Sequence, residues 1–470
     1  MRPSDAISLI LYTKLWTYIE YCFVYSQVLC FFAIQNGAMC RLFQPGIAMS
    51  TDQHIVIIGA GAVGAATAVQ ALNAGLRVTL VESDSPGGPQ ASSYGNAGWL
   101  SSHSILPPAA PGVWRQIPNW LKDPLGPLAI RWNYLPRAIP WLIRYLASAW
   151  TWPRVERIAH SLRSLLAGAP ALHQALAEQA GVPHLIEQRG LLHAYLSEQQ
   201  FRADSRAWDI RRREGIEWKE LDAQALHELE PDLHPRYTFG VLVPETGHCR
   251  NPGAYVAALV QLAQKLGADL RRTRATGFDI QAGKLRAVRT EAGDIPCDKA
   301  VIATGIRSRE LARQAGDRVP LAAERGYHAV IKQPEGGPRT STMFADCKVV
   351  INHMESGLRV AGQVEIADVD AAPDWRRGHI LRDLLISIYP ALPTNLGEDR
   401  VDYWQGCRPS MPDGLPCIGP ASASPDIVHA YGHGHVGLVG SARTGEVVVQ
   451  LLQGHATTIP LEPFSPRRFA

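Results

Sequence analysis

No two of the eight cysteines form a C-x-x-C pair or stand at zinc-ligand spacing. A metal cluster and a disulfide scaffold are both excluded as organising principles, and a reducing compartment is the default reading. Charge is sparse, at 19% of residues, and nearly balanced, with 46 Lys+Arg against 43 Asp+Glu. A net charge of +3 gives no electrostatic footprint for nucleic acid. Intrinsic disorder is excluded by a hydrophobic content of 46%. Gly (41) and Pro (34) are plentiful but show no period, so the chain is not fibrous. What remains is a globular protein of 470 residues, enough for two or three domains.

Residues 1–48 differ from the rest. Leu15–Ile34 is an aromatic-rich run with one charge, Glu20, long enough to cross a bilayer. Glu20 near its middle is costly there, and no small-x-small cleavage site follows. The favoured reading starts the folded protein at Met49, directly before a strong strand, and leaves residues 1–50 as an extension outside the fold. A membrane anchor is the alternative.

The strongest signal is H-I-V-I-I-G-A-G-A-V-G-A-A-T-A-V-Q-A-L-N-A-G-L-R-V-T-L-V-E, residues 54–82. Ile55–Ile58 is a continuous apolar run, as a strand buried on both faces requires. Gly59, Gly61 and Gly64 match G-x-G-x-x-G: a tight turn, close backbone approach to a pyrophosphate, and close helix–strand packing. The helix that follows offers unpaired N–H groups to phosphate. Glu82 ends the second strand 23 residues after Gly59, where a carboxylate binds ribose hydroxyls and repels a 2′-phosphate. Strand, helix, strand and acid in this order predict a dinucleotide site; the motif alone does not separate NAD from FAD.

Two further glycine-rich pieces follow. Lys299–Gly305 reads as a strand ending in Ala-Thr-Gly, small enough for close approach to a cofactor. Gly432-His433-Gly434-His435-Val436-Gly437 repeats the glycine spacing after an apolar run, and Leu438–Leu452 has helical character. No second strand with an acidic end follows, so this is not a second dinucleotide half. It reads as a helix N-terminus aimed at another anionic group, such as the N1/O2 edge of a reduced flavin.

In order, G-A-G-A-V-G, S-S-Y-G-N-A-G (92–98), V-I-A-T-G (301–305), E-R-G-Y-H (324–328), W-Q-G-C-R-P-S-M-P-D-G-L-P-C-I-G (404–419) and G-H-G-H-V-G resemble the D-amino acid oxidase superfamily of FAD-dependent oxidoreductases. The bacterial D-amino acid dehydrogenase branch is the most similar. The resemblance spans about residues 53–455 and implies FAD rather than NAD. It implies an α/β fold in which a Rossmann-like FAD-binding domain is assembled from residues 51–103, 245–318 and 404–458. An α+β substrate domain with a mixed or antiparallel sheet, residues 104–244 and 319–403, is inserted between them, and 459–470 forms a tail. By the same resemblance Val63 joins the glycines at the pyrophosphate. Ser92 and Ser93 lie on the phosphate side, and Asn96, Ala97 and Gly98 near the flavin. Gly305, Gly432, Gly434, His435, Val436 and Gly437 complete the cofactor set.

Oxidising an amino acid at Cα moves a hydride to the flavin, which carries the chemistry. The protein must anchor the substrate carboxylate, and the planar fork of an Arg suits it. Arg408, before Pro409 in W-Q-G-C-R-P, is the first candidate: in similar flavoproteins the Arg of G-x-R-P binds the substrate carboxylate. The structural alternative is an Arg paired with Asp413. Tyr327 is a candidate second donor to the same carboxylate. His328 is read as pocket lining or as an ordinary half-buried sheet residue, and His103 as pocket lining. No catalytic acid–base residue and no metal are assigned. Cys407 stands one residue off the position that carries covalent FAD in some sarcosine oxidases of the superfamily, which argues against attachment.

The resemblance implies oxidation of a D-amino acid, a D-proline type included, with electrons passed to a quinone or another acceptor. The alternatives are a glycine- or sarcosine-type oxidase using O₂, and a flavin-bound partner subunit without turnover. Residues 104–155 hold six of the twelve Trp (114, 120, 132, 141, 150 and 152). They read first as a packed helical layer and second as a surface dipping into a membrane interface. The expected location is cytoplasmic, with peripheral attachment to the inner face of the membrane as the open alternative. Oligomeric state is not readable.

Overall fold

The computed structural model describes residues 53–116, 125–126 and 128–469. The hydrophobic N-terminal segment and Trp120 lie outside the described residues.

His54–Ile58 (β1) is buried at every position. Ala62–Asn73 (α1) follows, and Arg77–Glu82 (β2) returns parallel to β1. These form part of a six-stranded sheet ordered Asp269–Arg272, β2, β1, Lys299–Ile302, Ile427–Tyr431, Cys417–Pro420. All neighbours are parallel except the last pair. One sheet is thus built from pieces more than two hundred residues apart, as the sequence resemblance implied. One core gathers Ile55, Ile57, Val78 and Leu80 with α1 and the helices Pro252–Lys265 and Ser441–Gln453. A second gathers Val56, Ile58, Ala300 and Ile302 on the opposite face. Small residues set the spacing: a Cβ on Gly445 would lie 3.0 Å from the Thr67 nitrogen, so the C-terminal helix packs directly on the α1 backbone.

The second sheet is mixed and nine-stranded. Its long members are Ala322–Ile331 (β3), Gly357–Ile366 (β4) and Val401–Ser410 (β5). Its order is β5, β3, β4, Val349–Met354, Thr342–Phe344, Leu191–Tyr195, Phe239–Val243, Lys219–Leu221, with Leu128–Ile130 also pairing β4. Residues 404–410, grouped by sequence with the flavin segments, therefore belong to a strand of this sheet. Leu135–Ser148 (α2) buries Ala138, Trp141 and Tyr145, and Arg376–Ile388 (α3) packs Leu381, Leu385 and Ile388 into the third core.

The Trp-rich stretch does not pack as one layer. Trp141 is buried and Trp152 packs on the core, but Trp132 and Trp150 are 64% and 59% exposed, and Trp114 is exposed too. No helix among the described residues is long and apolar enough to cross a membrane.

A Cβ on Gly64 would stand 1.9 Å from the Gly59 carbonyl oxygen, whereas one on Gly61 would have nothing within 4 Å. Gly64→Ala should therefore destabilise the protein by at least about 3 kcal/mol, and Gly61→Ala by less than about 1 kcal/mol. Chemical denaturation of the two variants checks the contrast.

Candidate functional site

The glycine-turn end is built by β1, α1 and β2. Gly59 adopts φ +101°, and a Cβ there would meet the Ala303 carbonyl oxygen at 2.6 Å, so the V-I-A-T-G strand is pressed against the glycine turn. Gly61 is the N-cap of α1 and supplies no side-chain cap. Val63, partly buried, and Gly64 lie in the first turn of the helix. The Glu82 carboxylate accepts the Ala60 N–H at 2.8 Å and the Asp84 N–H at 3.1 Å, which holds it beside the glycine turn. Gly305, at φ +55°, faces open space.

The loop 92–98 crosses one face of the second sheet, where Ser92, Asn96 and Ala97 are hydrogen-bonded and Gly98 takes a left-handed conformation. Ser92 donates to the Cys407 carbonyl, and the buried Ser93 hydroxyl has no hydrogen-bond partner. The Asn96 side chain accepts the Gly98 N–H at 2.7 Å. Asn352 donates to the Ala97 carbonyl. Gly98 has φ +77°, and a Cβ there would lie 2.2 Å from the Cys249 carbonyl. Arg359, which the sequence reading missed, donates to the carbonyls of Tyr94 (3.2 Å) and Asn96 (2.7 Å) from β4. His328 is buried on the same face, stacked on Trp404 at 5.1 Å with Nδ1 3.2 Å from the Gly95 carbonyl. Burial, then the Arg359 charge, pushes its pKa down to about 3, so it is neutral.

The register of β3 against β5 pairs Glu324 with Arg408, Gly326 with Gly406 and His328 with Trp404. Side chains alternate faces along a strand, so these residues share one face. A Cβ on Gly326 would strike the Arg408 guanidinium at 2.4 Å, which confirms that Arg408 lies over Gly326. Arg408 is partly buried and donates to the Gln363 carbonyl at 3.1 Å. Desolvation lowers its pKa and the Glu324 charge raises it, with a net downward direction. Asp413 is taken by Arg468, at 2.8 Å and 3.2 Å, so the structural pairing of Arg408 with Asp413 does not occur. Cys407 projects to the opposite face, its Sγ 3.7 Å from the Val369 carbonyl.

The segment G-H-G-H-V-G closes this end. Gly432 and Gly434 take φ +84° and +51°. The predicted helix N-terminus is corrected: Gly434–Val436 is a 3₁₀ turn, Gly437 continues the turn, and the α-helix starts at Ser441. The His433 ring is buried, 2.9 Å from the Thr444 hydroxyl. The His435 ring stands 3.2 Å from the Glu324 carboxylate.

Two expectations are overturned. Tyr327 pairs with Gln405 and lies on the face opposite Arg408. Its hydroxyl donates to Glu365 at 2.9 Å and accepts the Asp374 N–H at 3.1 Å. Glu365 there is a buried hub facing Arg131 (2.7 Å), Arg325 (3.3 Å) and Arg377 (3.9 Å). His103 packs against His193, Nε2 to Nε2 at 2.7 Å, on strand Leu191–Tyr195. That strand is five places from β5 in the sheet, roughly 24 Å at one strand spacing per place. The strand order, invisible in sequence, keeps His103 from Arg408. A cavity of about 510 Å³ lined by Arg189, His248, Arg250, Arg339 and His353 contains none of the predicted site residues.

The model of a family of FAD-dependent oxidoreductases, DAO, matches residues 54–451. The chain belongs to this family of FAD-dependent oxidoreductases. It is 58% identical to a protein of Bradyrhizobium diazoefficiens named D-amino-acid oxidase, over 90% of this chain and 100% of the relative. It is 30% identical to a D-amino acid dehydrogenase of Rhizobium rhizogenes, over 88% of this chain and 99% of the relative. Glycine oxidase from Geobacillus kaustophilus superposes with a TM-score of 0.67 at 21% identity, over 88% of this chain and 98% of the other. L-proline dehydrogenase from P. horikoshii gives 0.65 at 19% identity, over 89% and 97%. These two likenesses establish the fold.

The residues of this FAD-dependent oxidoreductase fit its cofactor. The uncapped start of α1 and the open space at Gly61 and Gly305 form a cradle that a side chain would fill. The unpartnered Ser93 hydroxyl adds a buried polar group without a protein ligand.

Because Tyr327 faces away from Arg408, Tyr327→Phe should leave kcat/KM within about threefold while costing stability on the order of 1–2 kcal/mol. Steady-state kinetics and denaturation of one preparation check both halves.

Proposed function

We propose that this oxidoreductase oxidises D-amino acids, with Arg408 holding the substrate carboxylate. The observation that carries the reading is the Arg408 guanidinium on the sheet face crossed by the N-A-G loop, held by the Gln363 carbonyl and not by Asp413. FAD, when bound, supplies the hydride acceptor for the Cα–H bond. The chain's own residues orient the reacting carbon. Arg408 fixes the carboxylate, the missing side chain of Gly326 leaves the space that the Arg408 guanidinium occupies, and Arg359 and Asn352 hold the 94–97 backbone in place. Gly59, Gly61, Val63, Gly64 and Glu82 serve the adenosine diphosphate half. Ser92, Ser93, Asn96, Ala97, Gly98, Gly305, Gly432, Gly434, His435, Val436 and Gly437 serve the rest. His328, neutral and stacked, lines the site without proton chemistry.

The relatives support the substrate class, since both an oxidase and several dehydrogenases among them are named for D-amino acids. The higher identity of the oxidase-named relative favours O₂ as acceptor over the quinone or other acceptor expected from sequence. Turnover in air should release peroxide in proportion to substrate consumed; dye reduction without peroxide would return the dehydrogenase reading.

Loss of a buried charge partner costs about 2–5 kcal/mol. Arg408→Ala should therefore lower kcat/KM by a factor on the order of 30 to several thousand with FAD retained. A fall of less than threefold removes Arg408 from this role.

The exposed side of α2 supports peripheral attachment to an anionic bilayer. Ile139 and Ile143 project from it between Trp132 and Trp150. The exposed Arg137, Arg144 and Arg154 flank them, and residues 131–155 contain no Asp or Glu. The protein should co-sediment with vesicles containing anionic lipid and not with purely zwitterionic ones. Ile143→Asp should weaken the association by at least about fivefold.

A further inference from the structure

The same sheet face holds a carboxylate that the reading above leaves unused. Glu324 is 4% exposed. It is the direct cross-strand neighbour of Arg408. Its ion-pair partner is His435, with Nε2 3.2 Å from Oε2. That oxygen nevertheless lacks an aligned hydrogen bond. His435 is 44% exposed, so the pair runs from a buried carboxylate to a ring at the edge of the site. Tyr145 of α2 and the buried Ser410 hydroxyl of β5 are the other polar groups facing it, and Ile366 is its apolar neighbour on β4. Burial raises the carboxyl pKa, but the His435 ring and the Arg408 charge outweigh it, and the net direction is downward. The free protein therefore keeps an ionised acceptor there.

An α-amino acid carries its carboxylate and its ammonium on adjacent atoms. Anchors for the two must be neighbours, and directly paired residues of antiparallel strands have Cβ atoms about 4.5–5.5 Å apart. We propose that Glu324 takes the proton from the substrate ammonium while Arg408 holds the carboxylate, and that His435 passes that proton to water. The inference rests on the reading of Arg408 above. One N–H bond of the ammonium breaks and an O–H bond forms on Oε2. The electron pair stays on nitrogen, ready to form the C=N bond as the Cα hydride leaves for the flavin. With the substrate ammonium supplying the positive charge beside Glu324, His435 takes part as the neutral ring with its proton on Nδ1: the proton moves from Oε2 to Nε2, and the Nδ1 proton leaves to solvent.

Glu324→Gln keeps the shape and removes the acceptor. In the unaltered enzyme, kcat/KM should vary little with pH across neutrality. In Glu324→Gln it should fall on the order of 100-fold at pH 7 and recover by about tenfold per pH unit as free amine becomes available. A profile parallel to the unaltered enzyme overturns the proposal. The second readout is binding of glycolate, a carboxylate without an amine, followed by the change in flavin absorbance. It should bind Glu324→Gln at least as tightly as the unaltered enzyme. Weaker binding would make Glu324 a prop for Arg408 and overturn the proton role. Failure of the Arg408 reading is distinguishable, because glycolate would then bind Arg408→Lys unchanged. Should Glu324→Gln not fold, His435→Asn decides. Removing the ring should move the acid limb of the profile upward, and an unmoved limb contradicts the relay.

Discussion

The register between Ala322–Ile331 and Val401–Ser410 is the constraint on which the site depends. A slip of one residue by Val401–Ser410 would send Arg408 to the far face and bring Cys407 inward, and the same slip by Ala322–Ile331 would send Glu324 and His328 away and bring Arg325 and Tyr327 inward. The far face is already specialised. Glu365 gathers three arginines and the Tyr327 hydroxyl there, and two of those arginines are almost wholly buried. Stranding any of these charges against the loop 92–98 would leave it without its partners, a cost of several kcal/mol each. The buried ion cluster thus fixes which face of Ala322–Ile331 carries Glu324 and His328, Arg325 ties Val401–Ser410 to it by donating to Gln405 Oε1 at 3.2 Å, and the pairing puts the guanidinium of Arg408 on the face crossed by the loop 92–98.

Those loops are held by the same logic of close approach. The Ala303 carbonyl sits where a Cβ of residue 59 would be, and the Cys249 carbonyl where a Cβ of residue 98 would be. Arg359 ties the 94–96 backbone to the sheet. The glycine turn and the loop 92–98 are therefore held against the second sheet by backbone contacts. Backbone set in this way gives the precision that hydride transfer demands of its two reacting atoms.

Much of this was legible because its signals are local. The strand–turn–helix–strand of residues 54–82 is written in glycine spacing and an unbroken apolar run, and it folded as read. The strand Ala322–Ile331 carries two buried charges, Glu324 and Arg325, which an alternation rule takes for loop residues. Which parity of that strand lies under the loop 92–98 is decided by Glu365, Arg131 and Arg377, distant in sequence, so Tyr327 falls on the side away from Arg408. His103 failed for a similar reason: strand order is a tertiary fact. Glu324 could have been found, since it differs in parity from Tyr327 and agrees with Gly326 opposite the G-x-R-P strand.

The account stands most directly on one measurement: mixing the purified flavin-loaded protein anaerobically with each enantiomer of a panel of amino acids and following the visible flavin absorbance. It predicts that D-enantiomers bleach the flavin within a turnover time and L-enantiomers do not. Protein that stays colourless after incubation with FAD, or flavin that no D-amino acid reduces, would contradict it.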